Sequence, residues 1–226
     1  MCAKSTDMNK FALLLCGLLL TTFLGAQETG DATAKALLEK ARKKYESYKS
    51  IEADFTLTIE PAEGKKEVQK GKMWQLGDKY RILLELQEII CDGKSSWLYL
   101  KRNNEVQINN AGTKGSANAF SPKGMLALYR SGNFLYYMGG SGTEAGKSVQ
   151  FIEIKPVDRK MEYAKFRVAV QKSTNQIVSM KTFNKDGSRI TLSINKLNTS
   201  KKVDVGKFVF DASKYKGAHI EDLRTN

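Results

Sequence analysis

The sequence predicts a mainly β protein, a single strongly curved antiparallel sheet or incomplete barrel, with one helix at its start and a second near mid-chain. Three observations lead there. Apolar and polar residues alternate through most segments after Ile51. These segments are short and bounded by Gly, Asp or Asn. Only two stretches repeat at helical spacing, one before Ile51 and one around Met125.

The first segment is read as a leader rather than as part of the fold. Lys4 and Lys10 precede the apolar run Phe11 to Ala26, and the polar stretch QETGD follows. A charged start, an apolar run too brief and poorly flanked to span a bilayer, and a small residue before the polar turn describe a secretory signal peptide over residues 1–26. Cys16 raises a lipoprotein signal as a rival, but Leu14 and Leu15 stand where such a signal carries small residues. The expected product, residues 27–226, is about 200 residues long, which suits a single domain.

Asp31 to Ser50 is expected to be helical, because Ala34, Leu37, Leu38, Ala41, Tyr45 and Tyr48 recur at three- and four-residue steps. From Ile51 the period drops to two. IEADFTLTIE places Ile51, Ala53, Phe55, Leu57 and Ile59 on one face and Glu52, Asp54, Thr56, Thr58 and Glu60 on the other. EVQKGKMWQL, KYRILLEL, EIICD, SSWLYLK and NEVQINN follow as strands. After the small-residue loop Ala111 to Ala119, Ser121-Pro122 opens a helix as N-cap and first helical position. Strands resume at NFLYYMGG, SVQFIEIKP, AKFRVAVQK, QIVSMKTFN, SRITLSINKLN and VGKFVFDA, giving about eleven in all. Short connections such as Asn184-Lys185-Asp186-Gly187 make neighbours antiparallel.

The chemistry-bearing residues are sparse. His219 is the only histidine, so no Ser-His-Asp or Cys-His arrangement forms without it. If Cys2 and Cys16 leave with the leader, Cys91 is alone in an apolar strand, with no internal disulfide and no set of metal ligands. No phosphate-binding glycine motif is present. The sequence therefore carries no enzyme signature and implies no cofactor. Its 37 Lys and Arg against 24 Asp and Glu give a formal charge of +13. For an exported chain that surplus suits an anionic membrane surface or an acidic partner better than nucleic acid.

The apolar residues are more telling. Tyr80, Ile82 and Leu84 alternate along one strand; Ile89 or Ile90, then Trp97 and Tyr99, alternate on its partners; Phe55 and Leu57 share the inward side of the first strand. A closed barrel would fill its lumen with such groups. An open sheet would instead present a concave greasy surface, covered when empty by a helix such as Ser121 to Ser131 with its Met125, Leu126, Leu128 and Tyr129. Periodicity does not choose between the two.

The order of these pieces resembles the periplasmic outer-membrane lipoprotein carrier proteins, the LolA type. YKSIEADFTLTI with Phe55-Thr56, Gly71-Lys72-Met73-Trp74, Tyr80-Arg81-Ile82 and Cys91-Asp92-Gly93-Lys94-Ser95-Ser96-Trp97-Leu98-Tyr99 match the family's successive motifs. Phe208-Val209-Phe210 and the tail Glu221 to Arg224 match its close. The resemblance implies an open antiparallel half-barrel with helices across its concave face. It also implies a soluble, monomeric periplasmic carrier that shelters the acyl chains of lipoproteins. Cargo would come from an inner-membrane ATP-driven (ABC) releasing complex and go to an outer-membrane acceptor.

Carried over by position, Tyr80, Ile82, Leu84 and Ile89 line the acyl-chain cavity, together with Phe55, Leu57, Trp97 and Tyr99, and Met125, Leu126, Leu128 and Tyr129 form the lid. One departure stands out. The arginine that latches the family's lid has no counterpart in Gln75 to Lys79, leaving Arg81 or Arg130 as substitutes. A regulator of envelope stress on the same half-barrel, sensing lipid or binding a membrane partner, is the alternative reading. A plain interaction module using the basic face is a third.

Overall fold

The computed structural model describes residues 30–112 and 134–224. The expected leader, the expected lid residues Met125, Leu126, Leu128 and Tyr129, and Arg130 lie outside that range. Helix α1 (Ala32–Glu46) is followed by β1 (Ser50–Glu60), β2 (Glu67–Leu76), β3 (Lys79–Leu83), β4 (Gln87–Cys91), β5 (Ser95–Leu100) and β6 (Glu105–Asn110). The second run is β7 (Phe134–Glu144), β8 (Lys147–Pro156), β9 (Tyr163–Gln171), β10 (Ile177–Asn184) and β11 (Arg189–Asn198), and β12 (His219–Asp222) ends the order.

All the strands form one open sheet of 12, in the order β12-β6-β5-β4-β3-β2-β1-β11-β10-β9-β8-β7. It consists of two meanders, β1–β6 and β7–β11, joined where β1 pairs antiparallel with β11. The open, mainly β architecture is as expected; β12 is a strand that the sequence pattern does not indicate. One pairing is not antiparallel: β12 runs parallel to β6, with Ile220 opposite Val106.

Local chemistry sets the hairpins. Asp92 Oδ1 accepts from the backbone N–H groups of Lys94 and Ser95, both at 2.8 Å, fixing the β4–β5 turn. The two-residue turn between β7 and β8 holds Ala145 at φ 48° and Gly146 at φ 72°. Both central residues thus have the positive φ of a mirror-type turn, whose twist matches that of the strands.

Helix α1 is shorter than its apolar repeat. It starts at Asp31, whose side chain accepts from the N–H groups of Thr33 and Ala34, and it is capped by Ser47 after Glu46. The Asp31 N–H donates to Tyr136 O on β7 at 2.6 Å. At the other end the Tyr45 hydroxyl donates to Ile177 O at the start of β10, at 3.5 Å. The helix therefore lies across the strands of the second meander. Ala34, Leu38, Ala41 and Tyr45 face the sheet, and all four are buried.

The stretch VGKFVFDA is not a strand. It forms two short 3₁₀ turns, Val205–Phe208 and Ala212–Lys214. The carboxylates of Asp204 and Asp211 accept from the N–H groups of Gly206 and Ser213, two residues on in each case. These local bonds give the backbone an alternative to a ladder, which apolar alternation alone does not reveal. The segment instead lies against the outer side of β3–β6, where Phe210 and Tyr215 pack with Ile90 and Val106.

Candidate functional site: the inner face of the sheet

One contiguous apolar cluster occupies the face on which α1 rests. β1 contributes Ile51, Ala53, Phe55 and Leu57, β2 contributes Met73, and the β3–β4 hairpin contributes Tyr80, Ile82, Leu84, Ile89 and Cys91. The second meander adds Tyr136, Ile152, Ile154, Val168, Val170, Met180, Leu192 and Ile194, among others. Pairing accounts for this parity. Ile82 lies opposite both Met73 and Ile89, and Phe55 lies opposite Ile194, so inward residues of adjacent strands fall in rows.

Six of the eight expected lining residues, Phe55, Leu57, Tyr80, Ile82, Leu84 and Ile89, come together here, each 4% exposed or less. Trp97 and Tyr99 do not, and this corrects the expectation. Ile90, not Ile89, pairs with Trp97, and Val106 pairs with Tyr99, which turns both rings to the outer face. There Trp97 stacks on Phe210 with ring centroids 5.3 Å apart, and Tyr99 meets Tyr215 edge-on at 4.8 Å. Leu98, between them, packs against the inner cluster. The inward residues of β8–β11 complete the face beyond the residues expected to line it. Ile152 with Ile154, and Val168 with Val170, show the same two-residue step and carried the signal.

Among the described residues the apolar cluster of the inner face includes only a few polar atoms, the phenols of Tyr45 and Tyr80 and the thiol of Cys91 among them. Burial raises the Tyr45 and Tyr80 phenols well above their ordinary range, so both stay neutral. The Cys91 thiol is likewise pushed up by burial, against the opposing hydrogen bond from Gly93 N–H. Gln75, 3% exposed and opposite Tyr80, donates from Nε2 to Gly77 O at 3.2 Å, while its Oε1 has no hydrogen-bond partner.

Where β2 runs on past the end of β3, a cleft of about 520 Å³ opens beside this face. Phe55, Gly71 and Leu84 reach it from within, and Lys70, Lys72 and Lys101 stand on its rim. Lys101 is anchored there, its Nζ donating to Leu84 O at 2.7 Å and Glu85 O at 2.9 Å.

Arg81, a candidate for the lid latch, points to the outer face instead. Its Nε donates to Glu88 Oε1 at 2.6 Å and its Nη1 to Lys207 O at 3.3 Å. The Tyr215 hydroxyl donates to the other Glu88 oxygen at 3.2 Å. Arg81 thus fastens the C-terminal segment. The alternation that turns Tyr80 and Ile82 inward turns Arg81 outward. His219 is exposed on β12. Among the described residues no group of His, Cys, Asp and Glu is placed to hold a metal ion. Nor is any helix among them long and apolar enough to cross a membrane.

A search of curated proteins returns no match. An uncharacterized conserved protein from Thermus thermophilus shares the fold at 9% identity and a TM-score of 0.55, over 84% of this chain and 99% of that one. The lipoprotein LppX of Mycobacterium tuberculosis aligns at 13% identity and a TM-score of 0.46, over 77% and 100% of the two chains. The Pseudomonas aeruginosa MucA/MucB complex aligns at 16% identity and a TM-score of 0.42, over 80% and 62%. The sequence model described as "Outer membrane lipoprotein carrier protein LolA" matches residues 46–211, from the end of α1 to the second 3₁₀ turn, and the chain accordingly belongs to that family.

Proposed function

We propose that the protein is a periplasmic carrier whose inner face shelters the acyl chains of lipoproteins on their way from the inner to the outer membrane. The observation that carries this reading is the single uninterrupted apolar cluster spanning both meanders of an open sheet, with an amphipathic helix resting on it. An ordinary sheet of this size needs one covered face for stability. The cleft at Phe55, Gly71 and Leu84, where β2 runs on past β3, offers an approach to that face.

The energetics suit transfer. Burying an acyl chain is worth about 0.8 kcal/mol per CH₂, so several chains in a rigid, vacant groove would bind too tightly to release. Here the inner face is already buried, and loading exchanges one apolar contact for another, which lowers the net affinity. Such a carrier uses no catalytic group. It takes cargo from an ATP-driven releasing complex in the inner membrane and yields it to an outer-membrane acceptor.

A triacylated lipopeptide and its unacylated twin, titrated against the purified protein, test the reading. Saturable uptake of the acylated form alone supports it. Leu84→Asp and the milder Leu98→Gln should each cut uptake by about tenfold or more in the fraction that remains folded. A folded protein that ignores the acylated peptide overturns the carrier reading and favours a regulator that binds a protein partner.

A further inference from the structure

The sheet has a second functional-looking surface, on the outer side of β8–β11, that carriage of cargo on the inner side does not explain. Strand pairing builds it as two rows. In the first, Glu153 on β8 lies opposite Arg167 on β9, which lies opposite Lys181 on β10. In the second, Lys165 on β9 lies opposite Phe183 on β10, followed by Arg189 on β11 and Glu60 on β1.

Phe183 is the hub. The Lys165 Nζ lies 4.8 Å from its ring centroid, Lys181 Nζ 5.5 Å, Arg167 Cζ 5.7 Å and Arg189 Cζ 5.8 Å. Two carboxylates answer these four cations. Glu153 meets both Lys165, at 2.8 Å, and Arg167, and Glu60 meets Lys181 at 3.4 Å. Burial acts to raise the Glu153 carboxyl, but its two cations hold it below its ordinary value, so it stays ionised.

Four cations against two carboxylates leave this face with a net positive charge. Arg167 and Lys181 stand directly opposite each other across two strands, and like charges so placed destabilise a sheet. Four cations around one ring relieve only part of that, since cation–π attraction at partly exposed sites is modest. An anionic surface laid against the face would relieve the rest. Just past the end of β8, beside this face, Val157 is 55% exposed.

We propose that the outer face of β8–β11, centred on Phe183 with Lys165, Arg167, Lys181 and Arg189, docks on the anionic lipid surface of a bilayer. The inner face would then remain free for cargo while the molecule sits on a membrane. The proposal stands apart from the cargo reading and fails separately from it.

Vesicle co-sedimentation of the purified protein tests it, using palmitoyl-oleoyl phosphatidylcholine vesicles with and without phosphatidylglycerol of the same acyl chains. Binding should need the anionic lipid and fall steeply as salt rises; a cargo site for acyl chains would not distinguish the two vesicles. The double variant Lys181→Glu/Arg189→Glu should weaken binding by about tenfold or more. The control Lys43→Glu/Lys44→Glu, an equal change of net charge on the exposed side of α1, should change it far less, and both variants should retain uptake of acylated peptide. Equal losses in the two double variants overturn the proposal. So does an absence of vesicle binding at low salt, including the case where the protein instead binds an acidic peptide such as polyglutamate.

Discussion

Phe55 on β1 lies opposite Gly71 on β2, and its ring fills the space that any side chain at Gly71 would take. A Cβ built on Gly71 would stand 2.3 Å from the ring Cζ. Gly71→Ala should therefore push the ring off its site, at a cost of about 1–3 kcal/mol for overpacking a fitted contact. Urea denaturation measures it. The double variant Phe55→Leu/Gly71→Ala should lose less than the sum of the single changes, because the clash is shared by the pair.

Both tryptophans of the chain face outward. Trp97 stacks on Phe210, and Trp74 lies beneath Lys207, with Nζ 4.5 Å from the ring. Intrinsic fluorescence should thus stay unchanged while an acylated peptide saturates the inner face. A reporter made by Leu98→Trp, which points inward, should shift its emission on loading. A shift from the native tryptophans alone would place the cargo on the outer face instead.

The C-terminal segment is fastened by Glu88, which accepts from Arg81 and from Tyr215. Tyr215→Phe removes one hydrogen bond to a charged group and should cost about 1.5–3 kcal/mol, read by denaturation, with earlier proteolysis after Val203. Burial, with Glu88 close by, pushes the Tyr215 phenol up to about 12. Its folded value lies above its unfolded value near 10, so its contribution is complete below about pH 10 and is lost as pH rises towards 12. Stability should fall across that interval, and less steeply in Tyr215→Phe. Part of the fall remains in the variant, because Tyr45 and Tyr80 are raised in the same direction.

Cys91 is 1% exposed and its thiol is held protonated by burial. At pH 8 a water-soluble alkylating reagent should modify it far more slowly in the native protein than in urea. Rapid native labelling would show that the inner face opens readily near the β2–β3 turn, where the Sγ approaches Asp78 O at 3.9 Å.

Much of this fold is legible in the sequence where one side of a strand is wet. Ile51 to Glu60 reads correctly because every second residue is polar. The reading fails where a strand is covered on both sides. Ile89, Ile90 and Cys91 are all buried, so their apolar run has no parity, and the facing of Trp97 and Tyr99 depends on a pairing that composition does not encode. The same holds for β12. Its four residues are all exposed, and it is a strand only because Val106 and its neighbours offer it an edge. Likewise Arg81 could be placed near a latch by its order in the chain, but its direction follows from the pleat.

The pairing of β1 with β11 has a kinetic side. Each meander can form from near neighbours in the chain, whereas the β1–β11 ladder joins residues as distant as Glu52 and Asn198. Closing so long a loop is an entropic cost met before any of its contacts repay it, which makes that ladder the natural bottleneck of assembly. The molecule is in this sense two halves zipped along a single seam. Changes along the seam would alter how quickly the halves find each other, while changes at the outlying strands would alter how long the finished sheet lasts.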